Sequence, residues 1–192
     1  RLQYVKTHDE KFLAENEAHL QVIESSINRL KTWHWESQQA DLISSLPVTM
    51  NIYRKCRAET VREVAKRQNI LQSLRLTDEI ATAYSISKNY SSMPDETQVA
   101  LKEVNKSLNG IRVRVNLMAL ENSEANRMAL SGFLTETIRL IGVARPYLRA
   151  EDSTSLEKIA QLLETKHRSI EDYNASALAE AEATRQLALA GA

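Results

Sequence analysis

Glycine and proline are scarce, at 4 and 3 of 192 residues. Turns are built mainly from Gly, Pro, Asn and Asp, so a sheet protein of this length cannot be punctuated from this composition. The single cysteine, Cys56, excludes a disulfide within the chain and a cysteine-based zinc site. The four histidines, His8, His19, His34 and His167, never fall at metal-ligand spacing, and no metal or cofactor is expected. Charge of one sign is also missing: 25 Lys+Arg face 25 Asp+Glu, and no basic run occurs. Nucleic acid and polybasic membrane contact both need clustered positive charge, so neither partner is expected. No window of 18 apolar residues exists, and nothing in the chain spans a bilayer. A Gly-rich phosphate loop, an H-E-x-x-H pair and a nucleophile elbow are all absent, so no enzyme is expected.

What remains is abundant Ala, Leu, Glu, Lys, Gln and Arg, residues that lose little side-chain freedom in a helix. The fold class is predicted to be all-α. Phe12, Leu13, Leu20, Ile23, Ile27 and Leu30 recur at helical spacing, with a break at Glu36 to Gln39. A long helix is predicted over 41–90, with Ile52, Val61, Val64, Ile70, Leu74, Ile80 and Tyr84 on its period. Pro47 is read as a first-turn proline, behind a cap from Ser44 or Ser45. Pro94 breaks the chain and Asp95 is expected to cap the next helix, which carries Val99, Val104, Leu108, Ile111, Val115 and Met118. Asn122 and Ser123 turn into a helix with Leu130, Leu134, Ile138 and Ile141, ending between Pro146 and Ala150. Thr154 and Glu157 match a capping box opening the last helix, with Leu156, Ile159, Leu163, Ile170 and Tyr173 on its stripe. Regions 41–90 and 153–190 are too long to bury their stripes against one short partner. Two stacked four-helix bundles built from six helices, two of them long and shared, are therefore predicted.

Tyr53, Tyr84 and Tyr173 are read as core or interface side chains, and the Trp33-His34-Trp35 cluster as an end-cap or dimer contact. Arg112 and Arg114 sit in the apolar run from Ile111 to Leu120, where a guanidinium is costly unless it meets an anion. One of the pair is expected to point outward and the other toward the bundle, as a clamp for a carboxylate. Arg168 and Arg185 lie on different sides of the last helix. The chain begins at Arg1 and stops in an Ala-rich run, so both ends are expected to be cut from a longer protein.

The opening Arg1-Leu2-Gln3-Tyr4, the stretch from Ile111-Arg112-Val113 to Glu121-Asn122-Ser123-Glu124-Ala125-Asn126, and the pairs His167-Arg168 and Thr184-Arg185 resemble the helical bimodular sensor domain. This is the extracytoplasmic ligand-binding region of some bacterial chemoreceptors and sensor kinases. The resemblance spans nearly the whole chain. It implies a membrane-proximal four-helix module of 1–64 plus 172–192 and a distal one of 66–171, in a periplasmic domain flanked by transmembrane helices. It also implies a homodimer and a small organic acid as ligand. Arg1, Thr184 and Arg185 would bind a C4 dicarboxylate in the proximal module; Arg112 and His167 would bind acetate in the distal one. Asn116 replaces a second family arginine and Arg114 an acidic position, which leaves the distal acid open. The alternatives are the input domain of a histidine kinase and a structural helical-bundle scaffold.

Overall fold

The structure, a computed structural model, describes residues 3–7, 9–92 and 95–190, apart from the side chains of Val5, Lys6, Asp95 and Ala190. It is all-α, with no strand among the described residues. The elements are α1 (Tyr4–Thr7), α2 (Lys11–Leu30), α3 (Ser37–Leu74), α4 (Thr77–Asn89), α5 (Asp95–Leu120), α6 (Glu124–Ala144), a 3-10 turn (Arg145–Tyr147) and α7 (Ala150–Ala190). No described helix is long and apolar enough to cross a membrane.

The division into six helices does not hold as drawn, because the single rod expected over 41–90 is two helices and two short pieces are added. The break falls at Leu76, whose backbone is left-handed at φ 52° and ψ 41°. That conformation costs a branched residue about 1 kcal/mol, and burial of the leucine side chain, 2% exposed, offsets the cost. Asp78 and Glu79 then place negative charge in the first turn of α4, against its positive end.

Two expected helix starts are also corrected. Pro47 lies inside α3. The Ser44 and Ser45 hydroxyls donate to the Asp41 and Leu42 carbonyls at 2.8 and 2.7 Å rather than capping a new helix. α7 begins at Ala150, so Thr154 is already interior. Its hydroxyl donates to the Ala150 carbonyl at 2.8 Å while Glu157 pairs with Arg145, and no capping box forms. Met93, Pro94 and the Asp95 side chain lie outside the described residues. Ser123 does cap α6, its Oγ accepting the Asn126 N–H at 3.3 Å.

The chain forms two compact units, Arg1–Lys66 with Ser176–Ala192, and Arg67–Ala175. In the first, α2 and α3 run antiparallel: Arg57 pairs with Glu17 at 3.0 Å and Arg54 with Glu24 at 2.8 Å. The Arg57 guanidinium also donates to the Leu13 carbonyl at 2.8 Å. Arg54 and Arg57 of α3 are thus spent on holding α2. α7 joins through Ser176, whose buried hydroxyl donates to the Glu63 carboxylate at 2.8 Å. That bond, with Arg62 beside it, lowers the Glu63 pKa against the opposing effect of burial. At the turn after α2, Trp33 and Trp35 stack at 5.8 Å. The Trp35 indole N–H satisfies the Leu30 carbonyl at 2.6 Å, one of the acceptors a helix end leaves open. Leu42, Val48, Ile52 and Leu178 of this unit are exposed.

The second unit holds the larger core. Leu101, Val104, Leu108, Ile111, Val115 and Met118 alternate three and four residues apart on α5, and each is essentially fully buried. They meet Leu130, Leu134, Ile141 and Ala144 of α6 and Leu156, Ile159, Leu163, Ile170 and Tyr173 of α7 in one cluster, which α4 closes through Ala83, Ile86 and Tyr90. Ser107 and Thr137 form a buried hydroxyl pair at 2.6 Å, which satisfies both groups.

Candidate functional site

In the second unit α6 and α7 run antiparallel, since Arg145 reaches Glu157 at one end and Ser131 reaches His167 further along. Toward the start of α6 the two helices border a cleft of about 590 Å³. Glu124, Arg127, Met128 and Ser131 line it from α6; their spacing of three, four and seven places them on one face. From α7 come His167, Arg168, Ile170 and Glu171.

Two of these side chains are held from behind. Arg127 Nη1 donates to the carbonyl and side-chain oxygens of Asn122, both at 3.1 Å, and Asn122 in turn donates to Asn174 of α7 at 3.3 Å. His167 Nδ1 shares a hydrogen bond of 2.9 Å with the Ser131 hydroxyl, which fixes the plane of the imidazole. Arg168, Glu124 and Glu171, by contrast, make no hydrogen bond or ion pair among the described residues. Ile170, 2% exposed, forms an apolar floor. The cleft therefore offers convergent donors over a greasy base, in the volume range of small-molecule pockets. Ser131 and His167 bring a hydroxyl and an imidazole together here, and among the described residues no third side chain bonds the other ring nitrogen.

Comparison with known proteins gives no matching family model and no matching curated relative. The cleft must be read on its own geometry.

Of the residues singled out in the sequence, His167 and Arg168 line the cleft. Arg112 is exposed and does not line it, whereas Arg114 is half-buried with its guanidinium 5.3 Å above the Phe133 ring. The inward arginine of that pair meets an aromatic face rather than an anion. Thr184 and Arg185 are exposed. Arg185 is clamped by Glu182 of its own helix, Nε and Nη2 donating at 2.9 and 2.8 Å. Arg1 lies outside the described residues. Arg127, Glu124 and Glu171 were not singled out; their only signal is a helical spacing of charges, which any solvated helix face also shows.

The Glu182 pair is itself measurable. The Arg185 guanidinium, followed by the Gln186 amide, holds the Glu182 carboxyl well below the usual 4.5. A lowered acid pKa favours the folded arrangement above 4.5 and releases it as pH falls. In an NMR titration the Glu182 midpoint is expected below 4.5 and should move back up in Arg185→Ala. An unshifted midpoint in the parent protein would mean that Arg185 is turned elsewhere.

Proposed function

We propose that this chain is the extracytoplasmic ligand-binding domain of a bacterial transmembrane chemoreceptor, and that the cleft between α6 and α7 receives a small organic acid. The observation that carries this reading is the convergence of Arg127, Arg168, His167 and Ser131 on one cleft of about 590 Å³. Two guanidiniums bordering one cavity offer the bidentate donors that a carboxylate takes. The resemblance of the chain to helical bimodular sensor domains points the same way. On that reading the two compact units are stacked helical modules. The apolar side chains left open on the first unit, Val48 and Ile52 among them, are available to a second subunit in a homodimer.

The mechanism is a shift of populations. A ligand bridging α6 and α7 stabilises whichever spacing of the two helices lets it touch both. α7 is one uninterrupted helix of 41 residues, so a displacement at Arg168 is carried along its axis. In the intact receptor it would pass into a membrane-spanning segment and control a cytoplasmic kinase. A sensor kinase would use the same input, while a passive scaffold has no use for an unpaired arginine over an apolar floor.

A thermal-shift screen of C2 to C6 carboxylic acids tests this. A ligand bound only by the folded state, at a hundred times its Kd, adds about 2.7 kcal/mol of stability. Arg168→Ala and Arg127→Ala are expected to abolish the shift, and Arg112→Ala to leave it. If no carboxylate raises the melting temperature, the sensor reading fails.

A further inference from the structure

The charge pattern of the cleft says more than that it takes an acid. Its lining carries two guanidiniums, Arg127 and Arg168, and two carboxylates, Glu124 and Glu171. Neither carboxylate is paired with either arginine, although all four border one cavity. A bare acid would be attracted by one pair and repelled by the other, and a dianion would meet both effects doubled. The complement of such a lining is a molecule that carries both signs. We infer that the ligand of this cleft is a zwitterion of the α-amino acid class, with its carboxylate on the arginines and its ammonium on the glutamates. This inference rests on the reading of the cleft as a small-ligand site.

The register of the helices sorts the two poles. Ser131 is level with His167, and because the helices are antiparallel, Met128 and Arg127 fall near Ile170 and Glu171. Arg168, His167 and Ser131 thus share one end of the cleft, and Glu171 lies about 4.5 Å further along the axis of α7, at 1.5 Å per residue. Glu124, a turn before Arg127 on α6, extends the negative end. Arg127, level with Glu171 across the cleft and anchored to Asn122, lies between the Arg168 end and Glu124. A carboxylate seated at the Arg168 end leaves the adjacent ammonium facing Glu171, without unpairing any group already bonded. Ile170 and Met128 give the cleft an apolar wall, which suits an aliphatic side chain on the ligand.

Both key side chains are exposed, so their replacement leaves the core intact. The experiment is isothermal calorimetry on the whole chain with the twenty standard L-amino acids. Each amino acid that binds is then compared with the acid lacking its amino group and the amine lacking its carboxyl group. Circular dichroism melting of Arg168→Ala and Glu171→Gln confirms that both variants fold. At least one amino acid is expected to bind ten times more tightly, or better, than its deaminated acid, and the amines not at all. Glu171→Gln should erase that preference and, by lifting the glutamate's repulsion, leave the acid's affinity equal to its parent value or up to about threefold tighter, and Arg168→Ala should remove both. If acids bind through Arg168 but no amino acid is preferred, or if Glu171→Gln leaves a preference unchanged, the zwitterion inference falls while the sensor reading stands. If neither amino acids nor acids bind, both fall.

Discussion

Cutting Leu134 back to alanine is expected to destabilise the second unit by about 3 to 4 kcal/mol, the largest single effect foreseen for this chain. Leu134 is 0% exposed and sits on the buried stripe of α6, between the stripes of α5 and α7. Its loss removes the transfer free energy of three carbon atoms and leaves a void. The void cannot close cheaply, because its walls are rigid helices whose other side chains already interdigitate at interior density. A urea titration followed by circular dichroism would show the midpoint of the second unit falling with its slope unchanged. Ile52→Ala supplies the control: Ile52 is 46% exposed, and its truncation should stay within about 0.5 kcal/mol. Similar losses at the two positions would place the core elsewhere.

Tyr90→Phe is expected to cost about 2 kcal/mol through a single oxygen atom. The Tyr90 ring is 2% exposed at the end of α4. Its hydroxyl donates to Asp152 Oδ2 at 2.9 Å and accepts the Arg149 backbone N–H at 2.7 Å, just ahead of α7. Phenylalanine keeps the packing but strands that N–H, one of the donors a helix start cannot satisfy within itself. Burial raises the pKa of the hydroxyl above its usual 10, with the Asp152 carboxylate adding to the rise. The sign follows from linkage: a raised pKa means the folded state holds its proton more tightly, so the contribution is complete below pH 10 and declines as pH climbs through the folded value. The parent protein should therefore lose stability on the alkaline side faster than Tyr90→Phe does. Guanidine melts at pH 7, 9 and 11 check both parts; parallel curves would mean the hydroxyl is solvated.

The stripes of α5 and α7 were legible because each faces a core along its whole length in the second unit. Leu156, Ile159, Leu163, Ile170 and Tyr173 were all read correctly from spacing. On α5 the same rule chose Val99, which is 57% exposed, and passed over Leu101, which is 1% exposed. Near a helix end either phase of the period fits, and only the neighbouring helix decides. Tyr84, Ile52 and Ile23 failed in the same manner, as apolar residues on period whose faces no other described helix covers. The corner at Leu76 gave no signal, since a leucine in a left-handed conformation is tolerated only because of where its side chain lands. His167 was found as part of a short motif. Its companions Arg127 and Glu171 could not be, because their meeting depends on the antiparallel register of α6 and α7, a long-range property that no local spacing carries.

The corner at Leu76 also makes the two longest helices unequal as conductors. α3 stops at Leu74, and Leu76, which turns the chain, is held in the hydrophobic cluster. α7 contains no such stop between Ala150 and Ala190. On the proposed sensor reading, the uninterrupted α7, and not α3, is the helix that would carry a displacement along its axis.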